Sequence, residues 1–395
     1  MPSLVIDLPV VLISKIMTNW LSFPDISTLD TAWCNKHSRN EFVETLGSVM
    51  FAQDIHIVSL CLMNWLLNRK INARQINIYR QQEVTLQQWQ AFLQQCGTTL
   101  KKISYEHISS HIDLAIATEI LNNCPNIVEF ELRTAIDHNT MILFIQAMPK
   151  LSTLIVDGVT NFNESIMLVI AQNCPKLKNL YMEQTRSTDT GMKTIAQNCP
   201  YLSSVFCNNI TPIGVSALVT SCKRLEWLSL SGQTSISIRE ISQNCPLLVS
   251  LAMWKSEEVN DDAILQLISH CEKLKTLKLF SCIQLTNRSL CALKNLTVLA
   301  LDDNQFVTDI TVEMIAQHCP DLTVVTLTRC RQLTQKTPFS LLASCRKLKV
   351  LQVYMSSFIQ HCGQRTLLYL LAVTVRPTLR RLLLDEVFTL PPIET

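Results

Sequence analysis

Cys174-Pro175-Lys176-Leu177-Lys178-Asn179-Leu180-Tyr181-Met182 is followed, after a polar turn, by Gly191-Met192-Lys193-Thr194-Ile195-Ala196-Gln197-Asn198 and then by Cys199-Pro200. The end of the first piece alternates apolar and polar residues, which predicts a short strand with one buried face. The second piece carries apolar residues three and four apart, which predicts a one-sided helix. The next cysteine restarts the pattern. Working outward, the same corner returns at Cys124, Cys222, Cys245, Cys271, Cys319 and Cys345, with Met148 and Leu293 in its place in two further units. From 124 to 345 the corners advance 221 residues in nine steps, about 25 per step. Such a period means a solenoid with one strand and one helix per unit. Parallel strands sit closer together than helices, so the expected form is a horseshoe, strands on the concave face and helices outside.

The strand pieces share one grammar. Leu225-Glu226-Trp227-Leu228-Ser229-Leu230, Leu274-Lys275-Thr276-Leu277-Lys278-Leu279 and Leu348-Lys349-Val350-Leu351-Gln352-Val353 all read L-x-x-L-x-L or close to it. After the strand, Cys282-Ile283-Gln284-Leu285-Thr286-Asn287 and Cys330-Arg331-Gln332-Leu333-Thr334-Gln335 form a second signature, and Val307-Thr308-Asp309 keeps a fragment of it. This resembles the cysteine-containing class of leucine-rich repeats over roughly residues 96–388. The corner cysteines act as small, easily buried apolar residues where a helix hands over to the next strand. Proline after them stops the helix. Free, buried thiols are therefore expected at Cys174, Cys199, Cys222 and Cys245.

Composition narrows the function classes. A net charge of +2 gives no case for nucleic acid or an acidic membrane as partner. The longest apolar run, Ile55 to Leu67, falls short of the ~18 residues needed to cross a bilayer and includes His56 and Asn64. It is expected to form a bridging helix within residues 51–72. Of the sixteen cysteines, the nine at equivalent repeat corners, Cys96 included, are explained by packing rather than disulfides, which points to a reducing compartment, cytoplasm or nucleus. Seven glycines leave little room for phosphate-cradling loops, and no nucleotide-binding or serine-hydrolase motif occurs. A lone Cys34-x-x-His37 pair lacks the second pair a zinc site needs. The expectation is a protein without catalytic residues, metal or cofactor.

Residues 1–50 do not follow the repeat. Leu8-Pro9 precedes apolar positions at Val11, Leu12, Ile16, Trp20 and Leu21, spaced for a helix; Phe23-Pro24-Asp25 breaks it, and Ile26, Leu29, Ala32 and Trp33 fit a second. Leu8-Pro9, Ile13, Ile16, Leu21, Asp25-Ile26 and the basic stretch Lys36-His37-Ser38-Arg39 resemble an F-box placed ahead of leucine-rich repeats. The match departs where Val10-Val11 replaces the usual acidic residue and where Trp33 comes early. The other reading of the segment is a helical cap over the first repeat, which solenoids need. Three segments result: an F-box-like 1–50, a bridging helix 51–72 and repeats over 73–390.

The resemblance implies a substrate-recognition subunit of a Skp-cullin-F-box type ubiquitin ligase. Leu8, Pro9, Ile13, Ile16 and Leu21 would then serve a Skp-type adaptor, with cullin beyond it and a protein substrate on the repeats. The alternative is a scaffold for protein–protein contacts with no ligase link. In either case the residues between and after the repeat leucines face outward, because side chains alternate along a strand. This reading places Tyr181, Phe206, Trp227, Trp254 and Phe280 on one face of neighbouring strands, as one aromatic patch some ~20 Å across.

Overall fold

The computed structural model describes residues 50–51, 55–56, 60–70, 72–78, 84–106, 110–159, 161–334, 336–354 and 381–384. The chain divides into two compact units, Met1–Arg186 and Ser187–Thr395. In both, the described parallel strands alternate with helices, up to strand Val350–Tyr354.

In the first unit, strands Ile55–His56, Gln75–Ile78, Lys102–Tyr105, Glu129–Leu132, Thr153–Val156 and Asn179–Met182 pair in chain order. Their register stacks Ile76, Ile103, Phe130, Leu154 and Leu180 into one buried row. The segment expected as one bridging helix over 51–72 is different. Strand Ile55–His56 pairs with Ile76 and Asn77, and the helix covers only Leu60–Asn68. The β-branched Ile55 favours a strand, so the strand–helix alternation starts earlier than residue 73.

In the second unit, strands Ser204–Cys207, Trp227–Ser231, Ser250–Trp254, Thr276–Phe280, Val298–Asp302, Val324–Thr328, Val350–Tyr354 and Arg381–Leu384 pair likewise. Val205, Leu228, Leu251, Leu277, Leu299, Val325 and Leu351 form its buried row. Each such side chain leaves water, worth about 1.5–3 kcal/mol when fully buried. The leucine pattern of the sequence is thus the interior of the stack.

The corner cysteines cap the helices. The N–H of Cys174 closes the last turn onto Ile170 at 2.8 Å, and Pro175 cannot extend it. The thiol side turns inward. Cys174, Cys199, Cys222 and Cys245 are buried thiols outside any disulfide. Beyond filling space, the thiols donate weakly to the preceding corner: Cys222 Sγ lies 3.6 Å from the Ala196 carbonyl, and Cys271 Sγ 3.5 Å from that of Cys245. Burial pushes Cys174, Cys222 and Cys245 up to about 12.

The second signature has its own physical reason. Thr286 and Thr308 cap helices Asn287–Leu290 and Asp309–His318 by accepting a backbone N–H with the side-chain oxygen. An aspartate at the first helical position then clamps the next repeat. Asp189 accepts from Thr211 N–H at 2.8 Å and from its hydroxyl at 2.6 Å. Asp261 accepts from Thr286 N–H at 2.9 Å and from the Thr286 and Ser289 hydroxyls. Asp309 accepts from Thr334 N–H and from the hydroxyls of Thr334 and Thr337. Partial burial disfavours the Asp261 carboxylate, but the Ser289 and Thr286 donors outweigh it and hold the carboxyl below its ordinary range.

Candidate functional site: the strand face

Side chains alternate along each strand, so the residues between the buried rows stand on the open face of the sheet. On the second unit, register divides them into rows. Phe206, Ser229, Ala252 and Lys278 share one row. Ser231, Trp254, Phe280 and Asp302 share another, two residues further along. Trp227 falls in a third, with Ser204, Ser250 and Thr276.

The aromatics of this unit therefore do not line up as a single row. Trp254 and Phe280, directly paired across adjacent strands, stack with ring centroids 3.8 Å apart and planes 10° from parallel. Trp227 stands in the row four residues back along its own strand from Ser231, about 13 Å at 3.3 Å per residue. Phe206 sits in the row between, half-buried. Strand phase causes the difference: the aromatics occupy different outward positions of otherwise equivalent strands.

Trp254 is 41% exposed and Trp227 43%. The Trp254 indole N–H donates to Ser229 Oγ at 3.3 Å, so the ring leans over the preceding strand. Beneath and beside it, Ser229, Ser250 and Ala252 are small and buried. The strand ends are set by residues in the left-handed region. Gly232, Lys255, Ser281, Asp303 and Arg329 have φ between 48° and 64°. Their conformation costs little at Gly232 and more at the four with side chains. Four of these N–H groups reach the next strand, as in Lys255 N–H to Phe280 carbonyl at 3.0 Å. At the edge of this surface, Arg329 Nε donates to Asp302 Oδ1 at 3.0 Å, and its Nη2 to Asp302 Oδ2.

Tyr181 belongs to the first unit, in the row of Glu131 and Ile155. It is half-buried, and burial together with the Glu129 charge raises its hydroxyl pKa. The sites expected at Leu8, Pro9, Ile13, Ile16 and Leu21 lie outside the described residues.

Elsewhere, a groove of about 520 Å³ on the helix side runs past Ile310 and Phe339, both exposed, beside Glu313 and Lys336. Among the described residues no group of three or more His, Cys, Asp or Glu side chains is placed to hold a metal ion. No described helix is long and apolar enough to cross a membrane. The partners of each Asp clamp stand one repeat away, beyond a local pattern; the recurrence of Asp after the capping residues Thr188, Asn260 and Thr308 is the available signal.

No protein-family description matches the chain, and no curated protein matches it. Solved structures do. An internalin, inlF, from Listeria monocytogenes covers 92% of this chain and 94% of that one at 13% identity, with a TM-score of 0.43. The structure of the Rad7 and Elc1 complex in yeast matches with a TM-score of 0.54 at 16% identity, covering 83% of this chain and 89% of that one. Together with the register of the repeats, the likeness to the yeast structure establishes the fold: an α/β leucine-rich-repeat solenoid.

Proposed function

We propose that this chain is a non-catalytic substrate-recognition subunit of a Skp-cullin-F-box type E3 ubiquitin ligase, acting in the cytoplasm or nucleus. The repeats hold a protein substrate on their strand face. Residues 1–50 dock a Skp-type adaptor through Leu8, Pro9, Ile13, Ile16 and Leu21, and the adaptor links the chain to cullin. The observation that carries the recognition half is exposed Trp254 stacked on half-buried Phe280, with Trp227 also exposed on the same face. Exposed aromatic surface marks interaction sites, and tryptophan is a typical hot spot. The adaptor half rests on the F-box-like pattern of the N-terminal sequence. The yeast fold neighbour was crystallised with a second protein, Elc1, which supports an adaptor-type partner here.

A second reading is a scaffold without a ligase link, in which residues 1–50 only cap the repeats. Strand Ile55–His56 favours it, because the first strand of a sheet needs cover. Co-expression of the full chain with a Skp-type adaptor and cullin separates the two. The ligase reading expects a complex that survives size-exclusion chromatography and is lost in the Leu8→Ala, Pro9→Ala double variant, while the circular dichroism of the repeats stays the same. An intact chain that binds no adaptor at micromolar concentration leaves the scaffold reading standing.

A further inference from the structure

We infer that the strand face of the second unit receives a protein segment that carries a carboxylate close to an aromatic or branched aliphatic anchor. The inference rests on the strand-face reading above and adds the chemistry of the occupant.

The anchor follows from Trp254. Its single donor is spent on Ser229, so the ring offers an apolar face and no hydrogen bond. One side of the ring is filled by Phe280. On the other, the row continues to Ser231, a small side chain followed by Gly232. A flat or branched apolar side chain fits beside the indole there.

The carboxylate follows from charge. On strands Trp227–Ser231, Ser250–Trp254 and Thr276–Phe280, the one charged residue at an outward position is Lys278, half-buried. Lys255, exposed, directly follows Trp254. Neither lysine has an ion-pair partner among the described residues. The acid on the adjoining strand, Asp302, is held by Arg329 on both of its oxygens. Glu226, Glu257 and Glu258 lie beyond the ends of the strands. A segment that covers Trp254 and Phe280 strips water from Lys278, and an ammonium desolvated without a counter-charge opposes binding. A segment that brings a carboxylate removes that penalty and turns the same lysine into a selector.

The test titrates the full chain with synthetic peptides of about ten residues, each with a central Phe flanked by Glu, by Ala or by Lys, and follows binding by calorimetry. The Glu peptide is expected to bind on the order of tenfold more tightly than the Ala peptide, and the Lys peptide most weakly. Lys278→Glu should reverse that order, and Trp254→Ala should remove binding of all three. Equal affinity for the Glu and Ala peptides overturns the inference, as does a preference that survives Lys278→Glu or Trp254→Ala. Absence of binding by every peptide at millimolar concentration also overturns it. The adaptor experiment is independent. A chain that selects the Glu peptide but ignores the adaptor refutes the ligase reading alone, and one that takes the adaptor but shows no charge preference refutes this inference alone.

Discussion

On the first unit, the outward positions of strands Glu129–Leu132 and Thr153–Val156 are Glu129, Glu131, Thr153 and Ile155; on the second, those of Ser250–Trp254 and Thr276–Phe280 are Ser250, Ala252, Trp254, Thr276, Lys278 and Phe280. Behind them the interior is the same in kind: Phe130 and Leu154 in one unit, Leu251 and Leu277 in the other, all buried. The first face settles its charges internally. Lys102 pairs with Glu129 at 2.8 Å, and Arg133 with Glu131 at 2.8 Å. The second leaves two tryptophans partly uncovered and Lys278 without an acid among the described residues. The repeat therefore constrains only the inward half of each strand. The outward half is free to differ between units, and it is there that recognition is written.

The sharpest way to break this comparison is to delete the tryptophans. Trp227→Ala with Trp254→Ala is expected to weaken partner capture at least about a hundredfold, since buried tryptophan hot spots cost about 2 kcal/mol or more each. Stability should change little. The rings are more than two-fifths exposed, and the lost stacking on Phe280 is worth about 1 kcal/mol. The matched pair on the first unit, Ile155→Ala with Tyr181→Ala, should leave capture unchanged. Capture lost only with the first-unit pair would transfer recognition to that face, and capture that fails only when Ile310 or Phe339 is replaced would move it to the helix-side groove.

The interior was legible because buried positions announce themselves. Leucine at fixed offsets and cysteine every 25 residues or so leave one stacking solution, and the strand and helix of each unit follow from periods of two and 3.6. An apolar run such as Ile55 to Leu67, too short to span a membrane, has no period that separates the strand Ile55–His56 from the helix Leu60–Asn68. The sequence leads one to expect a single aromatic patch, and on the second unit register divides its members among three rows. Alternation tells which face Trp227 and Trp254 share, whereas the row depends on which residue of one strand pairs with which of the next. Trp227 pairs with Ser250, four residues before Trp254, and no property of either tryptophan encodes that.

The next largest effect tests what holds successive repeats of the second unit in register. Asp261→Ala is expected to cost about 2 kcal/mol, because it removes a carboxylate that accepts three hydrogen bonds from the following repeat at a helix N-terminus. Its neighbour Asp262 pairs with Arg288 at 2.9 Å with both side chains largely exposed, and Asp262→Ala should cost about 0.5 kcal/mol or less. The carboxyl of Asp261 titrates below its ordinary range in the fold, so its contribution is present above that ordinary range and is lost as pH falls through the folded value. Urea unfolding of wild type and Asp261→Ala across acid pH should show the two curves converging. A gap that stays constant down to the lowest pH would assign the cost to packing instead of the charge.

Corner cysteines should erase the difference between units. Cys174→Ser in the first and Cys222→Ser in the second each place a hydroxyl in a buried apolar gap, at about 1–2 kcal/mol. Near-equal losses in denaturant midpoint are expected, since the thiols meet carbonyls at 3.9 and 3.6 Å, too far for a serine hydroxyl to recover a strong bond. Both thiols should resist alkylation at neutral pH, because burial holds each near 12. Rapid labelling of either in the folded chain would show that its corner opens.

The smallest effect asks whether the first face is fully settled in its charges. The carboxyl of Glu183 titrates above its ordinary range because partial burial and the Asp157 charge both disfavour the ionised form. A folded state that holds this proton more tightly than the unfolded chain loses stability as pH rises from the ordinary carboxylate value through the folded one. Above the folded value the wild type carries that penalty in full. Glu183→Gln keeps the shape, removes the charge, and should stabilise the chain by about 0.5 kcal/mol or less, solvent screening having already weakened the repulsion. Below the ordinary carboxylate range Glu183 is neutral in both states, and the gain should vanish. Asp157→Asn should reproduce part of the gain at neutral pH, and the two substitutions together should gain less than their sum, since either one removes the shared repulsion. Destabilisation by Glu183→Gln at neutral pH would show that the carboxylate is held by a favourable contact, and the first face would then be as settled at Glu183 as it is at Glu129 and Glu131.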